Sequence, residues 1–321
     1  MKLLLCCPLA IALMAVASAA DAPPQHWDAL PAEPALVPLG AADGSLVALW
    51  QQAAHPNKPY IAQLYAPGGK SLPLLADSPP DHFHHHGLMF ALGADDTDFW
   101  SEKGIKNAGR QEVAESVATP AGDGFTQSLR WLATDGTHLL DEARSVRVRA
   151  TGKGAEAVHW LDWQSTLSPA AGRASVRLSG SHYFGLGMRF LPAWDNKSEF
   201  LWAATAGQAV VRGDEKLTPG AWAAVRCEID GQPVTVLMID HPANARPVRW
   251  FTMGRPFCYL SAALGLDSTP ANLAAGERWT LRYGLALISG PADAARLAKL
   301  AAEWLDSHPF PTVEKAPPAK P

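Results

Sequence analysis

Apolar and polar side chains alternate along most of the chain, and turn signals cut the alternation into short runs. The pattern predicts strands over 45–50, 59–65, 86–93, 110–117, 125–134, 138–149, 156–167, 174–180, 184–190, 221–229, 233–240, 248–253 and 278–288. Asp-Gly pairs at 123–124, 135–136 and 230–231 and a Pro-Gly-Gly at 67–69 supply the turns. One segment has helical spacing instead. Pro291 and Asp293 open a helix over 291–306, with Leu297, Leu300, Ala301 and Trp304 on one stripe. Many strands and one helix predict an all-β fold, a large antiparallel two-sheet β-sandwich with one C-terminal helix. In 158–164 Trp160 shares a face with Asp162, while Leu161 and Trp163 share the other. A strand bulky on both faces is covered on both sides, which fits a large sandwich better than a thin open sheet.

The ends of the chain read differently. Lys2, the apolar run 3–17 and the small residues Ala17-Ser18-Ala19 have the layout of a secretory signal peptide over 1–20, with cleavage near Ala19-Ala20. The run is short for a membrane span, which needs about 20 apolar residues. No later stretch is apolar for that long. The expectation is therefore a protein that does not span the membrane and is periplasmic or secreted. Residues 21–43 are Pro/Ala-rich and read as an extended segment, 44–306 as a single β-sandwich domain, and 307–321 as a Pro-rich disordered tail.

A net charge of −4 argues against nucleic acid, because phosphate binding needs a basic face. Beyond the signal, Cys227 and Cys258 are the remaining cysteines, and export leaves both a disulfide and two buried thiols open. Twelve tryptophans serve either a large core or stacking against sugars. No nucleophile elbow, phosphate loop, dinucleotide fingerprint or paired Cys-x-x-Cys is present, which removes the common serine hydrolases, nucleotide enzymes and zinc ribbons.

Four histidines in five residues make Asp81-His82-Phe83-His84-His85-His86 the strongest candidate for chemistry. Read as extended chain, His82, His84 and His86 point one way and His85 the other. That trio is the alternative metal set, against an expectation of no cofactor, because adjacent histidines on a strand do not converge on one ion. Asp240, His241 and Asn244 sit where Pro242 breaks a strand, a place for an acid/base pair or for a self-bonded turn. Gly185 and Gly187 share a face with Arg189 and leave room for a carboxylate or diol beside its guanidinium. Glu142 falls on an apolar face, where a carboxylate must be paired, for instance with Arg144 or Arg189, or carry a raised pKa.

Several of these blocks resemble one known family. Pro59-Tyr60, Tyr65-x-Pro67-x-Gly69, Pro79-Pro80-Asp81-His82-x-His84-His85-x-Gly87-Leu88 and Asp98-Phe99-Trp100 are similar to the opening of the DUF6807 family. Gly185-Leu186-Gly187-Met188-Arg189, Asp240-His241-Pro242-x-Asn244 before Trp250, and Gly276-Glu277 before Leu281-Arg282-Tyr283 follow in the same order, so the resemblance runs from about 45 to 305. It departs at His86, where the family often has Arg. The family is sometimes labelled methane oxygenase, a label at odds with the absence of membrane spans. The resemblance implies a supersandwich like that of galactose mutarotase, whose His-x-Tyr-Phe motif His182-Tyr183-Phe184 loosely resembles, and company with sugar oxidoreductases.

The expectation that follows is an exported, carbohydrate-active protein acting on a glycoside or oxidised sugar by acid/base chemistry. His84, His85, Asp240 and His241 are the expected catalytic groups, gathered in one cavity with Arg189 as orienting cation. Asp81, His82, His86, Glu142, His182, Arg189, Asn244 and Trp250 are the expected substrate contacts. The rivals are a non-catalytic sugar-binding module and a metal-dependent enzyme.

Overall fold

The computed structural model describes residues 36–51, 57–68, 72–102, 105–203 and 209–309. The expected signal peptide, most of the Pro/Ala-rich segment and residues 310–321 lie outside them. The described chain is a sandwich of antiparallel sheets. One large sheet runs from the edge strand Leu36–Gly40 through Leu46–Gln51, Tyr60–Ala66, Leu88–Ala91, Gly185–Arg189, Tyr259–Ala263, Arg249–Met253 and Glu215–Pro219 to Ala209–Arg212. The facing sheet is built round its long strands His138–Thr151, Val158–Pro169 and Trp279–Ser289. A smaller sheet joins Ala271–Ala274, Ser175–Ser179, Gly93–Ala94 and Thr97–Asp98.

Inward side chains of the two large sheets meet in one core. Trp50 of the first sheet stacks on Phe125 of the second at 3.8 Å between ring centroids, and His159 Nδ1 of the second sheet bonds Tyr65 O of the first. The strand that is bulky on both faces is covered on both, as alternation requires. Leu161 and Trp163 enter the core between the sheets, while Val158 and Trp160 face outward. The outward face is sealed by the helix Ala294–Ser307, which lays Leu297, Leu300, Ala301 and Trp304 across it. Asp293 caps the helix by accepting from Arg296 N, and Trp304 Nε1 donates to Asp162 Oδ1. Gly284 makes this docking fit, since a Cβ there would sit 2.5 Å from the Trp304 ring.

Three details are added to the expectations. Leu36–Gly40, inside the segment read as extended, is the edge strand of the first sheet. Tyr259–Ala263, absent from the expected strands, lies in the middle of that sheet, because a run buried on every residue shows no alternation. Of the two states left open for the cysteines, the structure has free thiols at both Cys227 and Cys258.

Candidate functional site

The histidine segment is folded into two successive turns instead of the extended chain that alternation implied. His82 N donates to Pro79 O and His85 N to His82 O, while Ser78 N and Oγ hold the far side of the loop through His85 O and Phe83 O. The chain then dives into the sheet at Gly87, with φ +34°, where a Cβ would lie 2.1 Å from Ile61 O. The curl brings His82, His84 and His85 together and turns His86 away. Ring centroids are 5.7 Å apart for His82–His84, 4.8 Å for His82–His85 and 4.7 Å for His84–His85.

His86 points into a buried ionic network instead. Its Nδ1 is 2.7 Å from Asp77 Oδ1 and its Nε2 is 3.0 Å from Glu102 Oε1, so both nitrogens are committed. Lys58, fully buried, donates to the same Glu102 oxygen at 2.6 Å and to Trp100 O at 2.8 Å. Burial pulls the His86 pKa down, but bonds to the two carboxylates outweigh it and raise it overall. Burial likewise opposes the Glu102 charge, yet His86 and Lys58 hold its carboxyl down to about 2. The two carboxylates therefore favour the charged form of the ring, and His86 is not part of the alternative metal set with His82 and His84. Among the described residues no group of three His, Cys, Asp or Glu side chains is placed to hold a metal ion.

The other three histidines form one wall of a cavity of about 250 Å³. Trp100, Tyr183, Phe251, Phe257 and Tyr259 make its aromatic walls, Ser101 and Met253 complete them, and Glu215 supplies a carboxylate. Glu215 is buried at the start of the strand Glu215–Pro219, and its Oε2 is 3.2 Å from His182 Nε2. His182 thus enters the site as the partner of Glu215, its ring packed on Tyr183 and Phe251. Burial, with Lys58 and His82 nearby, lowers the His84 pKa to about 4, and burial with His84 and His82 lowers that of His85 to about 2. Both rings are neutral near pH 7, when they serve as hydrogen-bonding groups and are poor proton acceptors.

Arg189 lies beside this wall but lines none of it. Its NH2 bonds Asp81 Oδ2 at 3.1 Å, Asp195 Oδ2 is 3.7 Å away, and the guanidinium carbon stands 3.9 Å over the Phe257 ring. Asp81 also contacts His82 Nδ1 at 3.2 Å, so it links the cation to the histidine loop. The space expected above Gly187 is filled, because a Cβ there would be 2.6 Å from Tyr259 Oη.

The remaining expected residues are not brought to the cavity. Asp240 accepts from Asn244 Nδ2 at 2.7 Å and Val248 N at 3.2 Å, and Asn244 closes the turn on both backbone groups of Arg282. His241 accepts from Ala243 N and bonds His308 O just past the helix. Burial raises the Asp240 pKa to about 7, against the opposing bonds from Val248 and Asn244. This is the self-bonded turn, and the expected convergence of Asp240 and His241 with His84 and His85 does not occur. Glu142 is paired, as one reading allowed, with Arg144 at 2.8 Å, and it also accepts from Trp131 Nε1 and Ser165 Oγ. Trp250 is wholly buried and donates to Gly220 O, so it is a core residue. Glu215, Tyr183, Phe251, Phe257 and Tyr259 were not among the expected contacts. The period of two in Phe257-Cys258-Tyr259, next to Pro256, was the available signal for the last pair; Glu215 follows the Gly213-Asp214 turn with nothing to mark it.

The chain matches none of the curated proteins. The profile of a family of unknown function, DUF6807, matches residues 40–302, a span that takes in the sandwich, the histidine loop and most of the C-terminal helix. By that match, over most of its length, this chain belongs to the DUF6807 family.

Proposed function

We propose that this protein is a carbohydrate-active enzyme that works by acid/base chemistry on a single sugar unit. The observation that carries the reading is one aromatic-walled cavity faced on one side by a buried carboxylate, Glu215, and on another by His82, His84 and His85. Flat aromatic walls suit the C–H faces of a pyranose, and a few fixed polar groups suit its hydroxyls. A cavity of about 250 Å³ is at the small end for a ligand site, which limits the occupant to about one ring. In this reading Glu215, oriented by His182, accepts the proton. The neutral His84 and His85 donate or accept hydrogen bonds, and His82 with Asp81 forms the second proton-handling pair at the mouth. Assigning the base to Glu215 moves that role from His84 and His85, whose depressed pKa values make them weak bases.

The proposal includes export, supported by the charged start, apolar run and small residues of 1–20. Mass spectrometry of the protein recovered from a periplasmic extract would read its N-terminus, and an uncleaved Met1 would remove this part. For the activity, methyl glycosides and their oxidised derivatives are titrated by NMR and calorimetry against wild type and Glu215→Gln. Binding by both, with turnover only by wild type, is the expected result. Absence of any sugar binding at millimolar concentration overturns the reading. Binding without turnover by wild type leaves a sugar-binding module.

A further inference from the structure

A second hollow, of about 610 Å³, adjoins the histidine-walled cavity along four side chains, His82, Glu215, Met253 and Phe257. The rest of its lining is Asn196, Asp214, Arg255 and Pro256, all exposed. The pairing of two strands builds this arrangement. In the antiparallel pair Glu215–Pro219 and Arg249–Met253, Lys216 lies opposite Thr252. Glu215 and Met253 therefore end the two strands at the same edge, and Asp214 and Arg255 leave the sheet there together. Glu215 is buried and Asp214 exposed, so one short segment sets a carboxylate between the hollows and another on the outer rim.

The outer rim is held in place by its own chain. Asn196 stands in the left-handed region at φ +61°, and its N donates to Gly254 O at 2.9 Å. Asp195 Oδ1 accepts from Cys258 N at 2.8 Å. The turn at 195–196 thus grips the chain on both sides of Arg255, Pro256 and Phe257, and a rim already fixed has little freedom to lose on binding. The two hollows differ in character. The inner one is walled by buried aromatic rings and has room for about one ring. The outer one combines a guanidinium, a carboxylate and an amide with the apolar Met253, Pro256 and Phe257. That mixture suits a ring with C–H faces and hydroxyls at its edge, left half in water. An apolar group there would cover Asp214 and Arg255 without giving them partners. A hydroxyl both donates and accepts, so it can satisfy either one, whereas a charged group would meet like charge at one of them.

We propose that the substrate is a neutral disaccharide or longer glycan, with its terminal unit in the cavity and the next unit in the outer hollow, where Arg255, Asp214 and Asn196 determine which second unit is accepted. The inference deepens the carbohydrate reading and rests on it. It also places the linkage. The oxygen that joins the two units passes along the four side chains common to both hollows, beside Glu215 and His82. The groups that the acid/base reading assigns to proton handling then lie at the bond between units. The inner hollow recognises the terminal ring by its faces, and the outer one reads the hydroxyls of its neighbour.

The test is calorimetry on the whole protein with two sets of probes. One set is the methyl glycosides of glucose, galactose, mannose and xylose. The other is neutral disaccharides that carry the same four units at the non-reducing end. The expected result is that at least one disaccharide binds about tenfold or more tighter than the methyl glycoside of its terminal unit, the worth of one hydrogen bond to a charged group. Arg255→Ala and Asp214→Asn change exposed side chains outside the strands, and urea unfolding shows that each variant is folded. Each is expected to bring the ratio down to about threefold or less, as loss of that bond requires. Loss of the ratio in either variant supports the inference. A ratio kept by both overturns it, and so does equal or weaker binding of the disaccharides by wild type. In those two cases the methyl glycosides still bind and the broader carbohydrate reading stands. No binding of any probe at millimolar concentration removes both.

Discussion

Asp81–His86 and Asp240–Asn244 hold the same kinds of side chain, each beside a strand of the sandwich, yet they are put to opposite uses. In Asp240–Asn244 each side-chain nitrogen and oxygen of Asp240, His241 and Asn244 is spent on the chain itself. Their partners are Val248, Arg282, Ala243, His308 and one another. In Asp81–His86 the backbone is tied down just as firmly, by turns and by Ser78, but His85 Nδ1 has no hydrogen-bond partner among the described residues. A polar segment whose groups satisfy each other has no capacity left for a ligand. A polar loop laid on an aromatic wall retains it.

The largest effect expected from this contrast is on activity. Glu215→Gln removes the proposed proton acceptor of the cavity and is expected to lower turnover about 10²–10⁴-fold. Asp240→Ala does the reverse, leaving turnover of the folded protein near that of wild type. Steady-state rates and urea unfolding on the two variants measure this together. A collapse of turnover in a stable Asp240→Ala protein would break the contrast between the two regions.

Stability separates the two sides of the histidine loop. His84 and His85 face the cavity, whereas His86 is locked with Asp77, Glu102 and Lys58 behind it. Glu102→Ala takes from the buried Lys58 its carboxylate partner, leaving it Trp100 O, and from His86 one of its two, and is expected to cost about 3–5 kcal/mol. Asp240→Ala strips an acceptor from Val248 N and Asn244 and is expected to cost about 1–3 kcal/mol. Chemical denaturation of both gives the ranking, and Glu102→Ala proving the milder of the two would mean that the buried network contributes less than its geometry implies.

Periodicity made the sandwich readable, because strands with one face in the core must alternate and the one helix has its own spacing and Asp293 cap. It was silent where a strand is buried on both faces, and so it passed over Tyr259–Ala263, which bears a principal residue of the cavity. The richest histidine segment was found from composition alone. Its geometry was not, because strand alternation does not apply to a loop held by bonds from His82 N to Pro79 O and from His85 N to His82 O. Which residues of the opposite sheet edge meet it depends on the order of strands. That order brings Glu215 and Phe251 to the loop and leaves Asp240 on the facing sheet. Trp250 and Glu142 were chosen for chemical type, and their surroundings in the core make them structural.

The smallest and most diagnostic effect is on pH dependence, where the two regions act with opposite sign. His84 and His85 have folded pKa values of about 4 and about 2, below the ordinary 6.5. Below pH 6.5 the unfolded chain therefore binds protons that the folded one refuses, and stability rises with pH up to 6.5. Asp240 is displaced the other way, to about 7 from an ordinary 3.8. Between those values the folded chain holds a proton that the unfolded one has lost, so stability falls as pH rises towards 7. His86, raised above 6.5, adds to the fall on the alkaline side, its stabilisation being lost as pH climbs through its folded value. Each group contributes at most about 1.4 kcal/mol per pH unit, and partly exposed His84 less, because solvent screens it. The expected curve has a maximum near pH 6.5, from urea unfolding at half-unit steps. His85→Gln should flatten the acid limb and leave the alkaline limb alone. Asp240→Asn removes the term that opposes the histidines, so the acid limb should steepen while the fall between 6.5 and 7 softens. An acid limb unchanged in His85→Gln would mean that His85 is charged and paired in the fold, and that the two regions are more alike than their hydrogen bonds suggest.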